Sequence, residues 1–248
     1  MVAISGFQSL NRIYGHLEIV ENEVLSDVFD LMGILAVTGR LEMRSNPSLM
    51  LCQALARLVN AIDDAEPGPG PGAGGVPDVG LEVSLGGNLP GCNTIEEILA
   101  SEQLEELNAG LNDAWFNPET NGQGFLIVVL PSVEQVFLSW FTYDTERPPA
   151  DVSAHLGDPG HRWLTAQGGF ENNQALLNVW MTHGGVFDAE EPIPELYQDG
   201  DMMLEFETCN SGTVTYDISS INLQGQVLIE RITTDNVGLC YRLDADAR

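Results

Sequence analysis

The feature that most constrains the fold is a set of residues that recur 24 positions apart in the N-terminal part. The segment GHLEI at 15–19 is matched by GRLEM at 39–43, and Asn22 is matched by Asn46. Apolar residues at alternate positions point to one face of a strand, so each copy predicts a short strand followed by an asparagine turn. A repeat of about 20–29 residues with this pattern predicts a leucine-rich-repeat-like solenoid, whose 24-residue turns are called rungs here.

The first rung has no strand before it in this sequence. Rungs bury their apolar faces only against neighbouring rungs, and about three are needed for stability. The opening segment MVAISG also lacks the basic and apolar regions of a signal peptide. We therefore expect an N-terminally truncated piece of a longer protein, with an open solenoid end through which self-association is possible.

Helical spacing replaces the repeat after Pro47. Apolar residues then recur at intervals of three and four, at Leu51, Leu55, Leu58 and Ile62. The Pro/Gly-rich segment 65–75 predicts a loop, and LEVSL at 81–85 predicts a further strand. A capping box of Thr94 and Glu97 predicts a linking helix over 94–110.

The rest of the chain, 111–248, predicts an all-β antiparallel sandwich or barrel after the solenoid end of 1–93. Segments rich in β-branched and aromatic residues alternate with Gly, Pro, Asn and Asp turns. These segments are 124–130, 135–143, 162–167, 175–182, 202–208, 212–218 and 226–232. Hairpin turns are predicted at 131–132 and at 210–212.

The four cysteines show neither a C-x-x-C pair nor a histidine at zinc-ligand spacing, which argues against a structural metal site. The cysteines are even in number, and two lie in each part of the chain, which favours the disulfides Cys52–Cys92 and Cys209–Cys240. Disulfides imply an extracellular or other oxidising setting. Four buried free thiols in a cytosolic protein are the alternative.

The charge excludes two classes of partner. The chain has 9 Lys+Arg, all of them Arg, against 37 Asp+Glu, a formal net charge of −28. Binding to nucleic acid or to anionic lipid needs clustered positive charge, so neither is expected. No apolar run approaches the roughly 18 residues of a membrane span, so membrane insertion is not expected.

Two resemblances follow from longer motifs. The two repeated segments, with NPSL at 46–49 and the ending around Cys52 and 87–92, resemble the receptor L-domain type of leucine-rich repeat in bacterial surface proteins. The spacing departs from a standard repeat in having N-x-x-L. The segments WFNPETNGQGF at 115–125, SWFTYD at 139–144, HRWLTAQG at 161–168 and THGGVFD at 182–188 resemble an uncharacterised β-domain of secreted proteobacterial proteins. That resemblance implies a location outside the cytoplasm and no particular activity.

Catalytic motifs are missing from the sequence: it contains no HExxH, GxSxG or P-loop. His161 and His183 are placed in predicted turns, which explains them without a catalytic role. We therefore expect a protein that is not an enzyme and that needs no cofactor.

Two binding chemistries remain open. Asp199 and Asp201, and Asp144 with Glu146, place hard oxygen ligands in predicted loops and are weak candidates for calcium, although a solvated acidic surface is the default. The second chemistry is ring stacking on glycans. Its weak candidates are Trp115, Tyr143 and Trp163, of which Trp115, beside the turn at 117–122, is expected to be the most exposed; core packing explains most of the other rings.

The sequence thus favours a non-catalytic recognition or adhesion protein at a bacterial surface or in a secretome, with a protein or glycan ligand. The alternatives are a carbohydrate-binding accessory module of a secreted enzyme, a structural subunit of an extracellular assembly, and a hydrolase with an unrecognised site.

Overall fold

The computed structural model describes residues 2–7, 9–63, 82–143, 145 and 161–247. It is mainly β and divides into two compact units, Met1–Gln103 (unit 1) and Leu104–Arg248 (unit 2). Among the described residues, no helix has both the length and the apolar character needed to cross a membrane.

Unit 1 consists of short parallel strands and two helices. The strands are β1 (Val2–Ala3), β2 (Arg12–Ile13), β3 (Leu17–Val20), β4 (Leu25–Asp27), β5 (Ala36–Val37), β6 (Leu41–Arg44) and β7 (Val83–Gly86). The helices are α1 (Ala56–Asp63), which follows a 3-10 turn, and α2 (Ile95–Ala100). The pairs β1–β4, β2–β5 and β3–β6–β7 are all parallel.

The strand register follows the sequence repeat. Leu17 pairs with Leu41 and Ile19 pairs with Met43, so residues 24 positions apart lie side by side. Leu41 and Met43 are fully buried, while Glu18 and Glu42 lie on the other face. The alternation therefore sends leucine, isoleucine and methionine into the core of unit 1 and carboxylates outward.

Three asparagines, Asn22, Asn46 and Asn88, are joined in a ladder of hydrogen bonds. The backbone N–H and Nδ2 of Asn22 both donate to Oδ1 of Asn46, at 3.1 and 2.9 Å. The same two groups of Asn46 donate to Oδ1 of Asn88, at 3.2 and 3.1 Å. Nδ2 of Asn46 also donates to the carbonyl of Ile19 at 2.9 Å. The buried amide of Asn46 is thereby satisfied, which a buried polar side chain requires.

The C-terminal end of unit 1 is held by a disulfide between Cys52 and Cys92, as predicted. Closing a loop with a sequence separation of 40 stabilises by about 4 kcal/mol in the chain-entropy description. The backbone N–H of Glu97 donates to Oγ1 of Thr94, as the capping box predicts. The prediction that this helix continues to residue 110 is wrong, since α2 ends at Ala100.

Unit 2 is a closed barrel of eight antiparallel strands followed by a helix. The strands are β8 (Asp113–Phe116), β9 (Gly124–Leu130), β10 (Gln135–Tyr143), β11 (His161–Glu171), β12 (Gln174–His183), β13 (Glu195–Thr208), β14 (Ser211–Ile218) and β15 (Leu223–Arg231). Each strand pairs with the next in sequence, and β15 pairs with β8 to close the barrel. The helix α3 spans Val237–Ala247. Of the two predicted architectures, the barrel is confirmed.

Strand alternation fills the barrel. Phe125, Ile127 and Val129 of β9 are buried, whereas the residues between them are exposed. The same pattern holds along β10 and β12. An eight-stranded barrel has an interior just wide enough for side chains, so these residues form a packed core.

Both predicted hairpins are present, and the second disulfide lies beside one of them. A 3-10 turn at Pro131–Val133 joins β9 to β10, and a turn at Cys209 and Asn210 joins β13 to β14. Cys209 is bonded to Cys240 of α3, as predicted. This bond ties the C-terminal helix to the barrel.

Candidate functional site

Strands β9, β10 and β11 carry an exposed apolar surface that we call the aromatic face. Its exposed side chains are Leu126, Val128, Phe137, Phe141, Tyr143 and Trp163. The register places Phe137 opposite Val128 and Phe141 opposite Trp163. Directly opposed side chains on neighbouring strands touch, so the members form one continuous surface.

The aromatic face contains no charge. The segments 124–130, 135–143 and 163–170 hold no Asp, Glu or Arg, in a chain with 37 acidic residues, and the charged residues of β11, Arg162 and Glu171, stand near its two ends. Its remaining outward positions are neutral, namely Ser139, Thr165 and Gln167, which pair across β10 and β11 in the same register. Exposed apolar patches of this kind commonly mark ligand or partner surfaces.

Two of the three predicted ring candidates meet at one end of this face. Trp163 is 52% exposed and lies opposite Phe141, while Tyr143 is two residues further along β10. The hydroxyl of Tyr143 contacts Gly122, where a Cβ atom would overlap it, so the ring lies against the turn before β9. Phe141 was not predicted, although its position two residues from Tyr143 in an alternating strand was the available signal.

The prediction that Trp115 is the most exposed ring is wrong. Trp115 is fully buried, and its Nε1 donates to the carbonyl of Leu111 at 3.1 Å. Its ring lies 4.8 Å from that of Phe206, centroid to centroid. Trp115 belongs to β8, which the sequence did not predict, and its side chain points into the barrel.

Arg231, the last residue of β15, is a buried charge that the sequence reasoning missed. Its guanidinium donates to Oδ2 of Asp113 and to the carbonyls of Gly110 and Cys209, at 2.7, 2.7 and 2.6 Å. Its Cζ also lies 4.5 Å from the ring centroid of Trp115. Burial lowers the pKa of Arg231, and the adjacent carboxylate of Asp113 opposes that shift. The available signal was its place in the inward alternation of Val227 and Ile229. We assign this network to stability.

The calcium candidates do not lie in loops, so that part of the prediction is wrong. Asp199 and Asp201 are both in β13. Asp199 is buried and accepts hydrogen bonds from the backbone N–H and the hydroxyl of Ser220, at 2.8 and 2.6 Å. Asp144 and Glu146 lie outside the described residues. No group of three or more His, Cys, Asp or Glu in the described part of the chain could hold a metal ion.

The two histidines are strand residues, which corrects their predicted position in turns. His161 begins β11 and His183 ends β12. Nε2 of His183 lies 3.6 Å from Oε2 of Glu195, and both side chains are more than half exposed. The exposed pair is a surface contact.

An open groove of about 650 Å³ crosses the outer wall of β13, β14 and β15. Met203, Thr215 and Gln226 lie along it, and Asp201 and Asp217 border it. Unlike the aromatic face, this surface carries carboxylates and presents no exposed aromatic cluster.

In unit 1, Arg40 joins two outward carboxylates. Its Nη2 lies 2.7 Å from Oε1 of Glu18 and 2.8 Å from Oε2 of Glu42. The hydrogen bond to Glu18 is the largest cause of a raised pKa of Arg40. This partly exposed cluster neutralises part of the acidic strand face.

Comparisons with known proteins give no relative for either unit. No family model, no curated protein and no solved structure matches the chain.

Proposed function

We propose that this chain is a non-catalytic extracellular recognition or adhesion protein, of a bacterial surface or secretome, whose ligand binds the aromatic face. The observation that carries the proposal is the exposed, uncharged cluster of Leu126, Val128, Phe137, Phe141, Tyr143 and Trp163 on a chain of net charge −28. Apolar surface left in water costs about 25 cal/mol per Å² relative to burial, so a ligand that covers these rings gains that free energy.

The two disulfides support the extracellular part of the proposal, because such bonds persist in oxidising compartments. We further propose, from the two sequence resemblances, that unit 1 is the end of a receptor L-domain-like, leucine-rich-repeat solenoid. We likewise propose that unit 2 is a β-domain of the kind found in secreted proteobacterial proteins. The parallel pairing at the 24-residue offset supports the first of these assignments.

A peptide-display library selected on the intact chain tests the site. Selected peptides are titrated against the wild-type chain and against Trp163→Asp. The matched control is Phe187→Asp, which changes an exposed ring of unit 2 outside β9–β11. We expect Trp163→Asp to weaken binding by about tenfold or more, equivalent to about 1.4 kcal/mol, and the control to bind as wild type. Equal binding by all three proteins would place the ligand site elsewhere.

The second candidate function is that of a carbohydrate-binding accessory module of a secreted enzyme, with a glycan as its ligand. The observation that favours it is the cluster of three exposed rings, Phe141, Tyr143 and Trp163. Aromatic rings combine a large apolar face with few rotatable bonds, which suits stacking on the apolar face of a sugar. A glycan array whose signals disappear in Trp163→Ala supports this candidate, and an array without signals contradicts it.

A structural subunit of an extracellular assembly is the third candidate. The edge strands β1, β2 and β3 support it, since each pairs on one side only within the described residues. Light scattering of the intact chain at high concentration tests it, and a strict monomer argues against it.

A further inference from the structure

The groove on the outer wall of unit 2 has two unlike sides. One side is a row of residues that pair across β12 to β15, namely Leu176, Met203, Thr215 and Gln226. The other side is the row two positions away along β13 to β15, namely Asp201, Asp217 and Gln224. Both rows line the same open volume of about 650 Å³. An extended ligand lying along the groove therefore meets a different chemistry on each side.

The first row presents apolar surface and no charge. Leu176 is 72% exposed, and Met203, which pairs with it, is half-buried. Directly opposed side chains on neighbouring strands touch, so these two form one apolar contact surface at the β12 end of the groove. The row continues with the uncharged Thr215 and Gln226. An apolar side chain of a ligand that covers Leu176 and Met203 gains free energy in proportion to the area removed from water.

The second row places two carboxylates side by side. Asp201 and Asp217 stand directly opposite each other on β13 and β14. Neighbouring strands lie about 4.8 Å apart, and like charges in directly opposed positions destabilise a sheet. Asp217 accepts a hydrogen bond from Nε2 of Gln224 at 2.7 Å, but this amide supplies no positive charge. Neither carboxylate forms an ion pair with another described residue. A cationic ligand that binds between them removes their mutual repulsion.

The strands around the groove oppose no positive charge to such a ligand. The segment 163–230, which includes the whole of β12, β13 and β14, contains no Lys or Arg. β15 ends at Arg231, whose buried guanidinium is bonded to Asp113 and to two backbone carbonyls. The electrostatic field at this wall is therefore negative, and it attracts a cation toward the groove. Charge and apolar surface together define the complementary ligand.

We propose that this groove binds an extended segment of a partner protein in which arginine and apolar residues alternate. Successive side chains of an extended segment point to opposite sides. Its apolar side chains therefore cover Leu176 and Met203, while an arginine on the other side reaches Asp201 and Asp217. A guanidinium has five N–H donors in a planar fork, so it can donate to both carboxylates. The groove is a second binding surface of unit 2, on other strands than the aromatic face.

Two other occupants fit the groove less well. Ca²⁺ takes about six to eight oxygen ligands, more than two aspartates provide, and it leaves the apolar row uncovered. A second copy of this chain brings a net charge of −28 to an acidic surface, and chains of like charge repel each other.

The test uses a short fluorescent peptide that alternates leucine and arginine, titrated with the intact protein at about 0.15 M salt and followed by anisotropy. Saturable binding with a Kd at or below about 1 mM is expected. Citrulline in place of arginine keeps the shape of the side chain without its charge, and it should weaken binding about tenfold or more. Serine in place of leucine should also weaken binding, because the apolar row is then left uncovered.

On the protein, Asp201→Asn combined with Asp217→Asn should weaken binding about tenfold. This double variant should still fold, with an equal or higher melting temperature, because it removes the repulsion between opposed carboxylates. The matched control is Asp188→Asn combined with Glu190→Gln. It removes two exposed charges from the connection between β12 and β13, outside the groove, and should bind as wild type.

Equal binding of the arginine and citrulline peptides would overturn the proposal. So would an equal loss in the two double variants, since net charge alone would then explain the binding. Displacement of the peptide by about 1 mM Ca²⁺ would assign the aspartates to a metal, and dimers of the intact chain that the double aspartate variant dissociates would assign the groove to a second copy. Trp163→Asp should bind this peptide as wild type, so failure of the aromatic-face proposal is distinguishable, and a loss in that variant would contradict the groove.

Discussion

Replacing Arg231 by methionine should destabilise unit 2 severely. Methionine keeps part of the aliphatic stem and removes every donor. The carbonyls of Cys209 and Gly110 then lose buried hydrogen bonds, and the carboxylate of Asp113 loses its cation. Asp113 retains contacts with Asn236, whose Nδ2 lies 3.4 Å from Oδ2, and with the N–H of Ala114.

The size of the effect follows from those groups. A buried acceptor left without a donor costs about 1–3 kcal/mol, and removal of one partner from a buried ion pair costs about 3–5 kcal/mol in total. The side chain of Arg231 is 0% exposed and that of Asp113 is 16% exposed, so solvent screens little of this loss. We expect the free energy of unfolding to fall by about 3–5 kcal/mol. Adding Asp113→Asn removes the unpaired charge and should recover about 1–2 kcal/mol.

Urea unfolding followed by tryptophan fluorescence measures this loss in unit 2 alone. All four tryptophans, at 115, 140, 163 and 180, lie in that unit. Arg242→Met on α3 is the matched control, and it should lower the free energy of unfolding by less than about 0.5 kcal/mol. A loss below about 1 kcal/mol for Arg231→Met, or no recovery in the double variant, would refute the reasoning.

Three further predictions concern single residues. Asn46→Ala should lower the free energy of unfolding of unit 1 by about 2–4 kcal/mol. Amide hydrogen exchange measures this as a loss of protection in β3 and β6. Asn22→Ala, at the exposed end of the ladder, should cost clearly less, and equal losses would contradict the ladder. Backbone hydrogen bonds, chiefly from Asn93, hold the pKa of Glu97 below 4.5. The stability from Glu97 is therefore present above that pH and lost as the pH falls through the lower folded value. Melting temperatures of Glu97→Gln should vary less with pH in that range, and parallel curves for wild type and variant would contradict this. Gly168→Ala places a Cβ atom on the carbonyl of Leu176 and should cost about 1–3 kcal/mol in urea unfolding. At Gly169 the nearest atom is 3.7 Å away, so alanine there is the neutral control, and a similar cost at both would refute the clash.

Local patterns predicted much of unit 2 and failed where the signal was short. The seven predicted barrel segments all correspond to strands, because alternation and turn residues are properties of neighbouring positions. β8 was missed because it has four residues and depends on pairing with β9 and β15. The misplacement of Trp115 followed directly from that omission. The helix α3 was also not predicted. Its amphipathic pattern is weak, and it is held against the barrel by the disulfide between Cys240 and Cys209, a tertiary contact that local sequence does not show.

The candidate site was predictable only in part. Tyr143 and Trp163 were named from composition and local sequence, and Phe141 has the local signal of lying two residues from Tyr143, but only the pairing of β10 with β11 shows that Phe141 lies opposite Trp163. The uncharged character of 124–130 and 135–143 is visible in the sequence. Whether such a run is core or surface depends on which alternate residues point inward, and the closed barrel decides that.

The sequence by itself determined the register of unit 1. A 24-residue repeat with alternating apolar residues and one asparagine in each copy fixes which residues of β3 and β6 lie side by side, because a slip of one position would turn every core side chain outward. Only the tertiary structure decided that the strands of unit 2 close into a barrel. Alternation is the same in a sandwich and in a barrel, and closure depends on strand tilt and on the pairing of β15 with β8, residues more than a hundred positions apart. That closure buries Trp115 and Arg231 and leaves Phe141, Tyr143 and Trp163 facing the solvent.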